Sequence, residues 1–559
     1  EAPKTPLPVL RAIPKATLVF RDEELVNSRV CLRIYSLDRP KRTSRDIASE
    51  VVKSLLVIAV NRRLATLQGR NDASFLSAFA SEEQLTGAYQ CAMVSATVLP
   101  GKLLAAVETL VLACMSIACH GLTEHELRLV KRVHKAAIDS AWIERHHTDS
   151  EDVVDAAEEY VFYGGGASLC SETLDLRVQR EVLSAIGTAR FGDATLKNAA
   201  ATIFGMSDGN WSIEARVAGA PKDTLDVSEA ALRAIAIHVL DAKSPAPFCW
   251  EPHELLDDSF ETDGDSRPKL PEELHASFLI RHSLTHFPGQ HWVLSNGATV
   301  TWMRTDFEPD EILLCGVAPG GLSEIDSPTE RAAACTIAAM QELGGLRAMT
   351  KSQLADFLAD KNVTICPSVS KYCRHFNGYC GASRKELATA LQVISWHFSP
   401  PQFTMGNLGK VIESCQQSIL NRERDPEYHL KMELRKVTCG DDPFFAEVSA
   451  AEIESLRSFG TKGLQDTYTR FFSSPGEWSW ILVGALPDDH SLEQLVANFF
   501  GSSGGPGLLQ SASRRAPRPR PPTFTPGVDA RVYRGIGQMA ATVCICFAVD
   551  PMRLADPAC

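Results

Sequence analysis

Residues 292–321 read WVLSNGATVTWMRTDFEPDEILLCGVAPGG, and this stretch decides the fold. Two runs of alternating apolar residues flank Asn296 and Gly297, a residue pair that strongly favours the two-residue turn of a β-hairpin. A third apolar run at 312–317 predicts another strand, and apolar residues at helical spacing follow at 329–343. The stretch therefore predicts a strand pair, a further strand and a covering helix.

The residues that follow extend this pattern into a complete unit. Apolar spacing predicts further helices at 351–358, 386–397, 408–421 and 491–500, and further strands at 363–367, 374–379 and 478–484. Together these elements predict one α/β unit over residues 291–500.

A similar order of elements precedes this unit. Strands are predicted at 18–20, 30–35, 89–98 and 211–218, and helices at 46–67 and 102–119. Thr123 and Glu126 form a capping box at the start of one more helix. These elements predict a unit over 15–220, and the two units look like divergent copies of one fold. The predicted class is therefore α+β, in which repeated α/β domains each pack helices on a mainly antiparallel sheet.

Segments of different composition separate the units. The Pro-rich residues 1–14 are predicted to be a linker. Residues 221–290 hold a short helix at 228–240 and an acidic, Pro-containing stretch, which predicts a solvated connector. Residues 501–527 are rich in Gly, Ser, Pro and Arg and predict a flexible linker, with a basic docking tail as the alternative. Residues 528–559 have the pattern of the first strands of a third unit.

The bulk composition narrows the classes of function. The 559 residues have a formal net charge of −13, which argues against a nucleic-acid partner. No CxxC pair occurs among the 16 cysteines, so we expect free buried thiols in a reducing compartment. The most apolar stretch, 103–119, contains Glu108 and predicts a buried helix rather than a membrane span. The chain begins EAPKTPLP, without Met and without a signal-peptide pattern, which predicts a processed product or a part of a longer one.

The stretch at 292–321 resembles the start of the C-terminal half of insulinase/pitrilysin-type zinc peptidases. That family has an L-x-N-G-x-x-V strand, a T-x-F step and a Gly-Gly turn at this place. The similarity continues through GYCGASRKEL at 378–387, Arg424-Asp425-Pro426 and WSWILVGALPDDHSLEQLV at 478–496. In the first unit it includes NRRL at 61–64 and GLTEHEL at 121–127.

The resemblance implies a specific place for each unit. The family has four related α/β domains of the metallohydrolase/processing-peptidase-like type, arranged as a two-halved clamshell. By this resemblance, residues 15–220 are the second domain and 221–290 connect the two halves. Residues 291–500 are then the third, inactive domain, and 528–559 begin the fourth. The catalytic first domain is missing.

The zinc chemistry of the family depends on an HxxEH motif, and this sequence contains neither HxxEH nor HExxH. In the motif two histidines on one helix face bind Zn²⁺, and the Glu acts as general base. The resemblance maps the two His positions of the third domain onto Cys335 and Ala339, and the Glu onto Ala338. One thiol cannot hold a zinc ion, so we expect a packed core helix with a buried thiol. Glu413 lies near the place of the family's distal Glu, but a single carboxylate is not a metal site. We therefore predict no catalytic and no metal-binding residue in this chain.

Other histidines are weaker candidates for a metal site. His120 and His125 are five residues apart, which places them on different faces of a helix, and Gly121 with Thr123 predicts a loop leading into a helix. His146 and His147 are expected on a solvated surface.

Neither a second group of histidines nor a Gly-rich run predicts a binding site. His282 and His286 have the spacing of a helical metal pair, with His291 nearby, but Pro288 and Gly289 favour a connector. The Gly-rich residues 163–167 lack the Lys-Ser/Thr of a phosphate-binding loop and predict a turn or hinge.

Two functions follow as alternatives. In the first, the chain is the non-catalytic portion of a zinc metalloendopeptidase and forms part of a chamber for a peptide or unfolded protein. Hydrolysis by zinc-bound water is then performed by a first domain in cis or by a partner subunit, and this chain itself binds no zinc. In the second, the chain is an inactive homologue that serves as a regulatory or structural subunit of a larger complex. An unrelated α/β binding protein is a third possibility. The sequence does not fix the cellular compartment. The resemblance suggests an organelle stroma or matrix, in a plastid or mitochondrion.

Overall fold

The computed structural model describes residues 16–22, 25, 27–37, 43–70, 72–86, 89–145, 150–162, 171–187, 193–206, 210–219, 227–241, 245–248, 278–346, 349–399, 401, 403–439 and 447–501. The predictions for residues 1–14, 146–147, 163–167, 502–527 and 528–559 lie outside the described residues, as does the whole acidic stretch at 254–274.

The first unit is a five-stranded sheet packed with helices. Its strands are β1 (Ala16–Asp22), β2 (Arg29–Leu37), β3 (Phe75–Thr86), β4 (Tyr89–Val98) and β5 (Trp211–Ala218). Its helices are α1 (Ser44–Gly69), α2 (Leu103–His120), α3 (Glu124–Glu144), α4 (Ser150–Phe162), α5 (Glu172–Ala185), α6 (Asp193–Phe204) and α7 (Glu229–Asp241). The strand order is β1-β5-β2-β4-β3, and only the β1–β5 pair is parallel.

Alternating and helical apolar patterns build the core of this unit. Val30, Leu32 and Ile34 of β2 point to one side of the sheet, where they share one core with Val51 and Leu55 of α1. The predicted capping box of α3 is present, since Thr123 Oγ1 accepts from the Glu126 N–H and the Glu126 carboxylate accepts from the Thr123 N–H. The apolar spacing of the sequence had predicted all three of these elements, β2, α1 and α3.

The second unit is a seven-stranded sheet with its own helices. Its strands are β6 (Phe278–Ser283), β7 (Gly289–Leu294), β8 (Thr299–Arg304), β9 (Glu311–Pro319), β10 (Val363–Val369), β11 (Cys373–Gly381) and β12 (Ser479–Gly484). Its helices are α8 (Pro328–Cys335), α9 (Ile337–Gly344), α10 (Lys351–Leu358), α11 (Arg384–Trp396), α12 (Met405–Glu423), α13 (Pro426–Cys439), α14 (Ala450–Phe471) and α15 (Asp489–Phe500). The strand order is β10-β11-β9-β12-β8-β7-β6.

The two sheets share one topology. In the second sheet β12 is parallel to β8 and antiparallel to β9, just as β5 is parallel to β1 and antiparallel to β2 in the first. β11 then joins β9 and β10 as β4 joins β2 and β3. The four strand pairs of the first sheet therefore match four pairs of the second one for one, and β7 and β6 extend the second sheet beyond β8. This equivalence confirms the predicted class of repeated, mainly antiparallel α/β units.

The hairpin predicted around Asn296 and Gly297 is present, with a turn one residue longer than predicted. β7 and β8 are antiparallel, and the Leu294 N–H donates to Ala298 O across the turn. Gly297 has a φ of 96°, which explains why glycine stands at this place. The turn therefore contains Ser295 in addition to the predicted pair Asn296 and Gly297.

Some elements of the structure were not predicted, and two elements lie where a connector was predicted. β3, α4, α5, α6, α13 and α14 had no counterpart in the sequence prediction. α7 contributes Leu232 and Ala236 to the first core, and β6 pairs with β7 in the second sheet. Both elements lie within 221–290, so parts of the predicted connector belong to the two units.

Helix α2 is the one described helix that is long and apolar enough to cross a membrane by length and composition. Within the described residues, 56% of that window is buried, and its Leu110 and Ile117 belong to the first core. The prediction of a buried helix at 103–119 is therefore confirmed.

Candidate functional site between the two units

The helix predicted over 329–343 is interrupted at Thr336. The Thr336 N–H is shared between Ala332 O and Ala333 O, both at 3.1 Å, and its Oγ1 donates to Ala333 O at 2.9 Å. Such back-bonding by a threonine hydroxyl, together with the shared N–H, tightens the helical turn. The prediction of one continuous helix is therefore wrong, and the break falls between α8 and α9.

The three positions that the resemblance maps onto the zinc motif flank this break. Cys335 ends α8, and Ala338 and Ala339 lie in the first turn of α9. Cys335 and Ala338 are exposed and Ala339 is half-buried, so the expectation of a buried thiol is wrong. The reason is the orientation of α8, whose buried side is formed by Ala332, Ala333 and Ala334. Even so, packed atoms around the Cys335 sulfur desolvate the thiolate and raise its pKa to about 11, which disfavours the form that binds metals.

Helix α12 packs against α9 and presents the predicted distal carboxylate, Glu413. Gln417, one turn later on the same helix, donates from Nε2 to Glu413 Oε1 at 2.9 Å. Gln417 is 9% exposed, and its Oε1 has no hydrogen-bond partner among the described residues. The structure thus places Glu413 beside a buried amide.

A cavity of about 290 Å³ lies at this place between the two units. Its wall contains Ala339 of α9 and Gln417 of α12, so it adjoins the helix that corresponds to the zinc motif. The first unit lines it with Asn27, Gln68, Leu76, Ser77 and Thr97, and the second with Ala339, Lys410, Val411, Ser414, Gln417, Ser418 and Asn421.

Lys410 joins the two units across one side of this cavity. Its Nζ donates to Gln68 O at 2.7 Å and to Arg70 O at 2.5 Å. Both carbonyls lie at the C-terminal end of α1. Burial lowers the pKa of the ammonium, and the Asp72 carboxylate opposes this shift. The last carbonyls of a helix have no N–H partner further along that helix, so a cation at the end of α1 is well placed electrostatically.

Two further ion pairs connect the units. Arg62 of α1 donates to Asp356 Oδ1 of α10 at 2.6 Å, and both side chains are mostly buried. Arg132 of α3 donates to Asp360 Oδ1 at 2.9 Å. Burial alone would raise the pKa of Asp360, but Arg132 and the adjacent Lys361 outweigh it and hold that pKa at about 2. The contact between the units is therefore polar and held by cations of α1, α3 and α12.

The weaker histidine candidates take other roles. His120 is the last residue of α2 and contacts Pro245 O through Nε2 at 2.7 Å, while His125 lies in the first turn of α3. The predicted loop leading into a helix is therefore confirmed. His282 and His291 are cross-strand neighbours in the β6–β7 hairpin, and His286 lies in its turn, so the expected connector is a hairpin. Among the described residues, no group of three or more His, Cys, Asp or Glu side chains is placed to hold a metal ion.

The second sheet has one face that no described helix covers. Its helices pack on the side of Trp480, Leu314 and Phe376, and the alternate residues point the other way. Ladder register places Met303, Val483, Leu313 and Tyr379 in one row across four strands. The next row contains Thr301, Ile481, Cys315 and Asn377, so neither row contains Asp, Glu, Lys or Arg. Leu313 is 54% exposed and Ile481 is 41% exposed, which makes this an uncharged and largely apolar open face.

The corresponding face of the first sheet is charged. Arg33 pairs with Glu83 at 3.3 Å and with Glu214 at 3.1 Å, and Arg216 also pairs with Glu214. Exposed Leu18 and Phe20 lie at one edge of this network. The two related sheets therefore present different chemistry on their open faces.

Comparison with known proteins shows which proteins the chain resembles. No family model matches the chain. A curated protein of Arabidopsis thaliana, the zinc protease PQQL-like, is 22% identical over 545 residues, which cover 95% of this chain and 47% of that protein. A crystal structure of a mutant of the ferredoxin protease FusC with Arabidopsis ferredoxin is 14% identical, with a TM-score of 0.53, covering 87% of this chain and 51% of that one. The chain is therefore similar in sequence to a zinc protease and similar in fold to FusC.

These matches cover only part of each relative's length. The chain spans about half the length of the curated relative that it matches. The crystal structure of pitrilysin is 12% identical, covers 88% of this chain and 48% of that one, and has a TM-score of 0.47. The chain shares the fold of the FusC protease over about half of that protein's length.

Sequence reasoning missed the residues that join the two units. Lys410, Arg62 and Asp356 are ordinary charged residues on predicted helices, and nothing in their spacing indicates a partner some 300 residues away in sequence. Gln417 follows Glu413 by four residues, which is the spacing of a helical side-chain pair and is the one signal that could have identified it.

Proposed function

We propose that this chain is a non-catalytic portion of a zinc metalloendopeptidase and forms part of the wall of its peptide-binding chamber. The open face of the second sheet is the observation that supports this most directly. Its two central rows are uncharged, and exposed Leu313, Tyr379 and Ile481 lie among them. Monomeric proteins rarely leave such apolar surface open unless it binds something.

An extended polypeptide fits the chemistry of this face. Apolar side chains bury apolar substrate side chains, and the interspersed Thr301 and Asn377 can exchange hydrogen bonds with a peptide backbone. Because the face has few charges, it would select for unfolded, apolar segments rather than for acidic or basic sequences. The FusC relative was crystallised with a protein, ferredoxin, which agrees with a protein or peptide substrate here.

Hydrolysis is assigned to a first domain that bears HxxEH, in cis or in a partner subunit. Cys335, Ala338 and Ala339 stand at the motif positions of the second unit and offer one thiol with a raised pKa and two methyl groups. These side chains do not fit a zinc ion, which needs three protein ligands and an activated water in a catalytic site. Zinc would act from the first domain, and this chain would bind and confine the substrate.

The chamber-wall role is tested by charge substitution on the open face in the full-length gene product. Leu313→Glu should lower kcat/KM at least tenfold for an apolar fluorogenic peptide, mainly through KM, because a buried carboxylate would oppose apolar contacts. Leu420→Glu is the matched control, since Leu420 is similarly exposed at 43% on helix α12. Equal loss in both variants, or no loss in either, would argue against the proposal.

The same full-length product separates the proposal from its alternative. An inactive homologue that acts as a regulatory or structural subunit would contain no zinc and would cleave no peptide even when intact. The compartment is a separate prediction, and organelle stroma or matrix is checked by imaging a tagged full-length product.

A further inference from the structure

Every side chain of helix α4 (Ser150–Phe162) that the structure describes is exposed to solvent. Three of its valines are among the most exposed apolar residues described: Val153 is 60% exposed, Val154 is 62% and Val161 is 74%. Tyr160 is 37% exposed. Valine is a weak helix former, and a helix of 13 residues is marginal in water unless it packs against something. We therefore expect a partner that buries these side chains.

The apolar residues of α4 form one seam. Val154, Ala157 and Val161 follow one another at intervals of three and four residues, which places them in one row along the helix. This is the spacing of the a and d positions of a coiled-coil heptad. Val153 and Tyr160, seven residues apart, lie along one side of the row. The seam therefore has the spacing for packing against one other helix.

Glutamates lie along the other side of the seam. Glu151 and Glu158 are also seven residues apart, and they occupy the heptad position after d, where paired helices exchange ion pairs. Both side chains are exposed. Residues 150–162 contain five Asp and Glu residues and no Lys or Arg. A partner that buries the seam must therefore offer basic side chains along this edge.

The charge of α4 argues against three other occupants. The phosphate groups of nucleic acids and of anionic membranes would be repelled by the glutamate edge. A second copy of α4 would bring together two helices that each have five acidic residues and no basic one, and like charges oppose such a pairing. A helix of another protein, with an apolar seam and Lys or Arg beside it, meets both requirements.

We propose that α4 docks a basic amphipathic helix of a partner protein. Val154, Ala157 and Val161 pack against the apolar seam of that helix, and Glu151 and Glu158 accept hydrogen bonds from its Lys or Arg side chains. The pairing uses a helix of the first unit, so it is independent of the open face of the second sheet and of the proposed function. It gives the chain a point of attachment to a second protein.

The test uses two matched helical probes and the whole chain. The first is a peptide of three Lys-Ile-Ala-Ala-Leu-Lys-Glu repeats, which has an apolar seam with lysines on both sides. The second has three Glu-Ile-Ala-Ala-Leu-Glu-Lys repeats, with the same seam between glutamates. Fluorescence anisotropy of the labelled peptides should show that the lysine probe binds about tenfold more tightly or better. Equal affinity of the two probes, or no binding of the lysine probe, would overturn the proposal.

Apolar variants of the chain locate the binding. Val161→Ser should weaken binding of the lysine probe about tenfold, because the burial of a valine side chain is lost. Helix α4 should persist, since Val and Ser have similar helix propensities. Leu174→Ser is the matched control and should leave the affinity unchanged, because Leu174 is also exposed, at 49%, on α5 of the same unit. Equal affinity of Val161→Ser and wild type would contradict the site.

Charge variants separate specific contacts from the general attraction of a cationic peptide to an acidic protein. Glu158→Lys should weaken binding of the lysine probe about threefold. Glu181→Lys, which changes the net charge equally at an exposed position of α5, should not. Equal loss in both variants would show a general attraction and overturn the proposal. Dimers in sedimentation velocity that Val161→Ser abolishes would show that a second copy covers α4, which would also contradict it.

Discussion

Arg62 of the first unit donates a 2.6 Å hydrogen bond to Asp356 of the second, and 294 residues separate them in sequence. The side chains are 18% and 19% exposed, so solvent screens the pair only in part. Arg62 also donates to Ala355 O, and the three contacts of Lys410 and Arg132 lie on the same boundary. The two units are therefore coupled by directional polar contacts and leave a cavity between them.

Breaking the Arg62–Asp356 pair should loosen helix α10. A hydrogen bond to a charged group contributes about 1.5–3 kcal/mol, so Arg62→Ala should raise the exchange rates of α10 amides roughly tenfold or more. Hydrogen exchange with mass spectrometry measures this. Lys135→Ala is the control, because Lys135 pairs with Asp139 on a helix surface and is 70% exposed. Unchanged α10 exchange in Arg62→Ala would show that this pair does not couple the units.

The buried pair of Arg63 and Glu126 should be far more sensitive. Both side chains are 2% exposed, and Arg63 donates to both carboxylate oxygens, at 2.7 and 2.9 Å. Arg63→Met leaves the Glu126 carboxylate in the core without a counter-charge, with the Thr123 N–H still donating to it, which should cost about 3–5 kcal/mol of the free energy of unfolding. Urea denaturation followed by circular dichroism measures this. Arg128→Met on the exposed side of α3 should change stability by less than about 0.5 kcal/mol, and a similar small effect of Arg63→Met would refute the expectation.

Gly316 and Gly409 should respond in opposite directions to alanine. A Cβ on Gly316 would lie 2.5 Å from Trp480 Cζ3, in the packed core of the second unit, so Gly316→Ala should destabilise it by about 1–3 kcal/mol. A Cβ on Gly409 would meet no described atom within 4 Å, and helix α12 should gain about 0.4–1 kcal/mol from Gly409→Ala. Thermal unfolding of the two variants checks both signs. A stable Gly316→Ala protein would contradict the described packing of Trp480.

His397 should make the second unit sensitive to acid. It is fully enclosed, with its Nδ1 against the Gln341 amide, and burial lowers its pKa from 6.5 to about 3. The unfolded chain binds the proton more readily, so stability from the neutral ring is complete above about pH 6.5 and falls as the pH drops toward 3.

A histidine replacement isolates this effect. Between those limits the wild-type protein should lose up to about 1.4 kcal/mol per pH unit more than His397→Gln. Urea midpoints of both proteins at several pH values measure the difference, and carboxylates common to both cancel. Parallel pH profiles would show that His397 is not the group responsible.

The fold was largely predictable, and the site was not. β4, β5 and α10 were predicted with the bounds that the structure shows, because alternation and capping are local properties of the sequence. The break at Thr336 was missed because one hydroxyl and one shared N–H decide it, and the apolar spacing continues through it. The edge strand β3 was missed since its exposed Phe79 and Glu83 do not alternate cleanly with apolar residues.

The interface escaped prediction for a different reason. Lys410 and Arg62 reach their partners only because the two folded units lie side by side. A single sequence does not indicate which distant residues come into contact. The resemblance agrees with the zinc protease that the chain matches in sequence, and it maps the zinc motif onto Cys335, Ala338 and Ala339. The helix break and the exposure at these residues are visible only in the structure.

The zinc stoichiometry of the purified chain tests whether these 559 residues hold a metal site of their own. The chain is saturated with Zn²⁺, dialysed and measured by plasma mass spectrometry, beside the full-length gene product. We expect less than about a tenth of a zinc ion per chain for residues 1–559 and one per chain for the full-length product. One tightly held zinc ion in residues 1–559, lost on replacement of Cys335 or of a histidine, would contradict it.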